Sequence, residues 1–90
     1  MPYIAPEDRR EFTRALAEMQ DTVHRHGLSN GELNYLFTRL AMMYLHRHGE
    51  TYNTLSDVVK AFECAKLEFY FRMVAPYETR KRLQNGDVYD

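Results

Sequence analysis

Apolar residues along this chain recur at spacings of three and four. The first series, Phe12, Leu16, Met19 and Val23, draws one stripe down one side of a helix. Ala5-Pro6-Glu7-Asp8 stands in front of it. Proline at the first helical position gives up no needed hydrogen bond, and the two acids meet the positive end of the helix dipole, so a helix is predicted over about 6–25. A second series, Leu33, Phe37, Leu40 and Tyr44, broadened by Leu36, Met43 and Leu45, predicts a helix over about 30–48. Its start is marked by Ser29 and Glu32, an S-x-x-E capping box in which each side chain satisfies the other residue's orphan backbone donor.

The third series is apolar on two sides. Leu55, Val58, Phe62, Ala65, Phe69 and Met73 form one stripe, while Cys64, Leu67, Phe71 and Val74, two residues out of step, form another roughly 200° around the axis. Thr54 with Asp57 resembles a cap, so a helix is predicted over about 54–84, with a kink or interruption near Pro76 and a stop at Asn85-Gly86. The tail from Asp87 is expected to be extended.

The chain is therefore expected to be all-α: one helical domain over residues 1–90, a three-helix bundle with a long, Pro-kinked third helix. From Thr54 to Ala75 the third helix spans about 33 Å, against about 24 Å for the second, so it overhangs its neighbours. Nothing in the first two helices covers both sides of the overhang, and an exposed apolar patch of that kind marks a partner surface. The expected outcome is a homo-oligomer with Leu67, Phe71 and Val74 at the interface.

His-Arg-His-Gly occurs twice, at His24–Gly27 and at His46–Gly49. Both tetrapeptides fall where a helix is predicted to end. Cationic side chains suit the negative dipole end and glycine accepts the left-handed conformation that follows, so helix termination explains the repeat without a metal. Histidines at i and i+2 also sit on different sides of a helix, unlike the i, i+4 pair that grips zinc.

Composition narrows the functional classes. Ninety residues make a thin core, and a lone cysteine, Cys64, supplies no internal disulfide, leaving tight packing or oligomerisation as the remedy. No run reaches the ~18 apolar residues of a membrane helix, and Met1-Pro2-Tyr3-Ile4 leads into charge, not into a signal peptide, so a soluble cytoplasmic protein is expected. Twelve basic and thirteen acidic side chains give a net charge of -1, which draws the chain to neither nucleic acid nor membrane as a whole. A helix-turn-helix reading would need a basic recognition helix, and the second helix offers only Arg39 and Arg47.

Catalytic constellations are scarce. Cys64 lies mid-helix among apolar neighbours, where a thiol behaves as a small hydrophobe. No glycine-rich phosphate loop is present, and Glu18-Met19-Gln20-Asp21 lacks the second acidic pair that a magnesium-dependent hydrolase would use. No enzyme, metal or cofactor is expected. Seven tyrosines and a group of cations point instead to ligand binding. Tyr70 and Tyr77 share a face with Glu63 and Lys66 if the kink at Pro76 is mild; their rings can stack on a planar base while Lys66, Arg72, Arg80, Lys81 and Arg82 hold phosphate, with Asn34 and Arg39 as further polar candidates. The alternative is an ordinary solvated face, Glu63 pairing with Lys66 one turn away.

Five strings carry a resemblance: Met1-Pro2-Tyr3-Ile4, Gly31–Tyr35 (GELNY), Glu63–Tyr70 (ECAKLEFY), Val74–Glu78 (VAPYE) and Asn85–Tyr89 (NGDVY). Together they resemble a family of small uncharacterised proteins encoded by tailed phages and bacteria. The resemblance implies a phage accessory protein acting in the host cytoplasm and supplies no mechanism. For such a protein a nucleotide-like ligand would be a host defence signal, and the protein an anti-defence sponge. The alternatives are an interaction module that inhibits a host or phage protein through the third helix and, behind it, a DNA-binding regulator.

Overall fold

Pro6 begins a helix as its position predicts. In the computed structural model, which describes residues 2–89, α1 (Pro6–Arg9) passes through a 3-10 turn at Arg10–Phe12 into α2 (Thr13–His26). The predicted first helix is thus tightened once near its start. Upstream, the Arg9 Nε donates to the Ile4 carbonyl at 2.9 Å and ties the leading residues to the helix.

Gly27 and Gly49 end α2 and α3 (Asn30–His48) with φ of 79° and 89°, a region closed to most side chains, and their N–H groups donate to Val23 and Leu45 carbonyls at 2.8 and 2.7 Å. Both His-Arg-His-Gly repeats are therefore helix stops. At the start of α3 the capping box is complete: Glu32 N–H donates to the Ser29 hydroxyl at 3.1 Å, and Ser29 N–H to the Glu32 carboxylate at 2.9 Å.

The next start falls earlier than the sequence suggests. α4 (Tyr52–Phe69) is capped by Thr51 and Thr54, whose hydroxyls accept each other's backbone N–H at 3.2 and 2.8 Å. Thr54 also donates to the Gly49 carbonyl at 2.7 Å. Asp57, expected to close the cap with Thr54, instead accepts a 3.0 Å hydrogen bond from the Tyr44 hydroxyl.

The long third helix is interrupted six residues ahead of its proline. Tyr70–Val74 form a π turn, closed by Ala75 N–H on the Tyr70 carbonyl, and α5 (Ala75–Asn85) continues from there with Pro76 in its first turn. A proline lacks the N–H and its ring conflicts with a regular i−4 carbonyl, a conflict that an i→i+5 turn relieves.

The chain divides into two units, Pro2–Val58 and the residues from Val59 onward, with the boundary inside α4. The all-helical class and the helical stretches follow the predicted periodicity, and no strand occurs among the described residues. The buried core of a bundle does not. No described residue is buried; in the first unit Val23, Leu36, Ala41 and Leu45 are only half-buried, and Phe12, Leu16 and Leu40 of the predicted stripes are exposed.

Candidate functional site

Of the residues expected to bind a ligand, Lys66, Tyr70, Arg72, Tyr77 and Arg80 lie in the unit from Val59, on α4, the π turn and α5. Asn34 and Arg39 lie on α3 in the other unit, where the Asn34 carbonyl accepts the Thr38 hydroxyl at 3.0 Å. Each is exposed.

Tyr77 is the best-furnished of the group. The Arg80 guanidinium and the Lys81 ammonium stand 5.7 and 5.6 Å from its ring centre, close enough for both cations to sit over the ring's negative face. Such a ring beside two exposed cations offers a planar surface and charge to the same visitor. Lys66 is engaged differently: its ammonium lies 3.4 Å from the Glu63 carboxylate one turn back, an exposed pair of the weak i, i+3 kind. Tyr70 meets Phe71 edge-on, with ring centres 6.1 Å apart.

The π turn separates these two groups. In an unbroken α-helix Tyr70 and Tyr77, seven residues apart, would share a face. A π turn takes up one extra residue, which turns everything after it by roughly 100°. Tyr77 therefore leaves the face of Tyr70 and Lys66, the common face expected from the sequence. The same shift carries Val74, half-buried, off the line of Cys64, Leu67 and Phe71. Phe71 stays exposed, at 68%.

Lys81 belongs with Tyr77 and was weaker in the sequence, since three consecutive cations, Arg80 to Arg82, point to all sides of a helix and spacing does not choose among them. The Tyr44–Asp57 bond had no local signal, its partners being thirteen residues apart. That bond holds the Tyr44 hydroxyl above its ordinary value, because the neutral O–H is the form that donates. Tyr44 also meets the His48 ring in a tilted contact, with centres 4.6 Å apart, which places one of the four histidines in a ring contact.

Two open hollows mark the first unit, one beside Ala17, Gln20, Asp21, Val23 and His24, the other between Tyr3, Ile4, Phe12 and Leu16. Neither contains an expected ligand residue. Among the described residues no helix is long and apolar enough to cross a membrane.

No curated protein and no solved structure matches this sequence. A family model does, over residues 1–88, so the chain belongs to the family described as Domain of unknown function (DUF6899).

Proposed function

We propose that this protein is a non-catalytic helical binding module that works as a homo-oligomer and holds a small, nucleotide-like anion in crevices between its copies. Exposure of the apolar side chains carries the reading. No described residue is buried, and Leu67, Phe69, Phe71, Met73 and Tyr77 of the second unit are all exposed, a run of apolar side chains of the kind that marks an assembly surface. Leu67, Phe71 and Val74, on a third helix bent at Pro76, belong to that surface in this reading.

The ligand follows from what stands beside it. Tyr77 with Arg80 and Lys81 offers stacking and charge, and Lys66, Tyr70, Arg72, Asn34 and Arg39 are the further lining residues of the proposed site. In a phage accessory protein acting in the host cytoplasm, such a site would sequester a nucleotide signal of host defence. Native mass spectrometry of gently purified protein tests the assembly; a multiple of 10.7 kDa is expected. Isothermal titration against cyclic and ADP-ribose-derived nucleotides tests the ligand. A single 10.7 kDa species would remove the first part, and no heat with any nucleotide the second.

A second reading is supported by the exposure of Phe71: a module that inhibits a host or phage protein through this side of α4 and the π turn. It predicts a stoichiometric protein partner that Phe71→Asp releases.

A further inference from the structure

The π turn decides which side chains stand in line. In a regular α-helix Phe69, Met73 and Tyr77, at successive steps of four, would drift by about 80° around the axis. With the widened turn between them they stay within about 20° of one line, and Phe62 shares it two turns upstream. All four are exposed, Phe69 at 63% and Met73 at 59%. The other apolar side has no such continuity, because beyond Phe71 the same shift brings the polar Thr79 and Arg82 under Leu67.

We propose that this line is a seam for a second copy of the chain lying antiparallel to it, and that the seam completes the anion crevice by setting the partner's Lys66 beside Tyr77 and Lys81. The inference rests on the self-assembly proposed above and names where it happens. With the midpoint at the height of residue 71, Met73 faces the partner's Phe69 and Tyr77 faces the partner's Ala65, a large ring against a methyl group, as interdigitating helices require. Charge selects the direction. A parallel seam would set Arg80, Lys81 and Arg82 against their own copies, whereas the antiparallel one carries them to a turn of mixed charge that holds the partner's Lys60 and the partner's Glu63. A two-fold seam is also self-complementary, so a single stripe suffices. Within one chain Lys66 and Tyr77 are eleven residues apart, about 16 Å along the axis, and on different faces, so one copy alone brings only half of the crevice together.

Disulfide trapping tests the seam. In a Cys64→Ser background, the pair Ala65→Cys with Tyr77→Cys lies about 18 Å apart within a chain, beyond any internal disulfide, yet face to face across the seam. Mild oxidation is expected to convert most chains to covalent dimer, at least tenfold faster than a single Phe71→Cys variant. The rim pair Lys66→Cys with Glu78→Cys, which leaves the apolar line intact, is expected to link as well, and circular dichroism verifies helicity in each variant. If Phe71→Cys links as fast as both pairs, or neither pair links in a protein that sediments as an oligomer, the seam is wrong while self-assembly stands. If the Cys64→Ser protein sediments as a monomer, the assembly reading falls with it.

Discussion

α3 and the stretch formed by α4, the π turn and α5 are both long, periodic and apolar, yet they are determined in different ways. Both ends of α3 are settled by residues in contact with one another: the Ser29–Glu32 box at its start and Gly49 at its stop. The second stretch changes in its middle, where the Tyr70–Val74 turn takes up one extra residue ahead of Pro76. That residue leaves the ends where they were and moves the faces. Helix ends follow local chemistry, whereas the phase of a helix can depend on a single position, and with it every side-chain partnership downstream.

The largest expected effect comes from placing a charge on the realigned face. Burying a large apolar side chain is worth about 1.5–3 kcal/mol, and a two-fold seam contains each position twice, so Phe69→Asp should weaken self-association by at least about 100-fold. Sedimentation velocity across a concentration series reads this directly. Leu40→Asp on α3, equally exposed in the chain, is expected to leave the Ala65–Tyr77 linkage intact; equal losses from both would erase the distinction between the two regions.

Mixing two damaged chains sharpens it further. Lys66→Glu and Lys81→Glu should each abolish binding of adenosine monophosphate, followed by titration calorimetry. A composite crevice takes Lys66 from one chain and Lys81 from the other, so a mixed population regains intact sites, to about a quarter of the wild-type capacity if chains exchange freely. A crevice built within one chain would regain none.

Pro76→Ala addresses the cause. Alanine returns the N–H and removes the ring, so the α-helix can run on through Tyr70–Val74 and Tyr77 turns by roughly 100° out of the line. Helicity by circular dichroism should hold or rise while the Ala65–Tyr77 linkage is lost. Retention of the linkage would mean that something other than the proline sets the phase.

These contrasts explain what the sequence disclosed. Helix stops and the Ser29 start were legible because Gly27, Gly49, Ser29 and Glu32 act within a turn of themselves. The start of α4 falls earlier than the S/T-x-x-D spacing of Thr54 and Asp57 predicts, because two threonine hydroxyls serve as a reciprocal cap and Asp57 is engaged by Tyr44 from another helix. Pro76 announced an interruption, but composition does not distinguish a bend from a widened turn, and only the latter takes Tyr77 off the face of Tyr70. The apolar stripes announced burial without saying against what.

Ser29→Ala is expected to cost about 1 kcal/mol of stability, the usual worth of a helix N-cap. In a domain of this size that lowers the thermal midpoint by about 4–8 °C. Thr54→Ala, which removes half of the Thr51–Thr54 exchange and its bond to Gly49, should act on the start of α4 in the same sense. A calorimetric scan compares the two, and an unchanged midpoint for Ser29→Ala would show that α3 does not depend on its box.

The smallest effect distinguishes the two starts by pH. The Glu32 carboxylate is held below its ordinary value of 4.5, chiefly by the Ser29 backbone N–H, then by the Ser29 hydroxyl, with His26 adding attraction. A carboxyl depressed in the folded state contributes stability above its ordinary value and loses that contribution as pH falls through the folded one. The box at α3 should therefore hold at pH 6 and loosen at acid pH below 4.5, whereas the Thr51–Thr54 cap of α4 contains no titrating group. Amide chemical shifts report both: Ser29 N–H should move with a midpoint below 4.5 while Thr51 N–H shows no transition of its own there. In Glu32→Gln, whose amide oxygen can still accept from Ser29, the transition at Ser29 should disappear. A Ser29 midpoint at or above the ordinary carboxylate value would mean that the box does not favour the charged form.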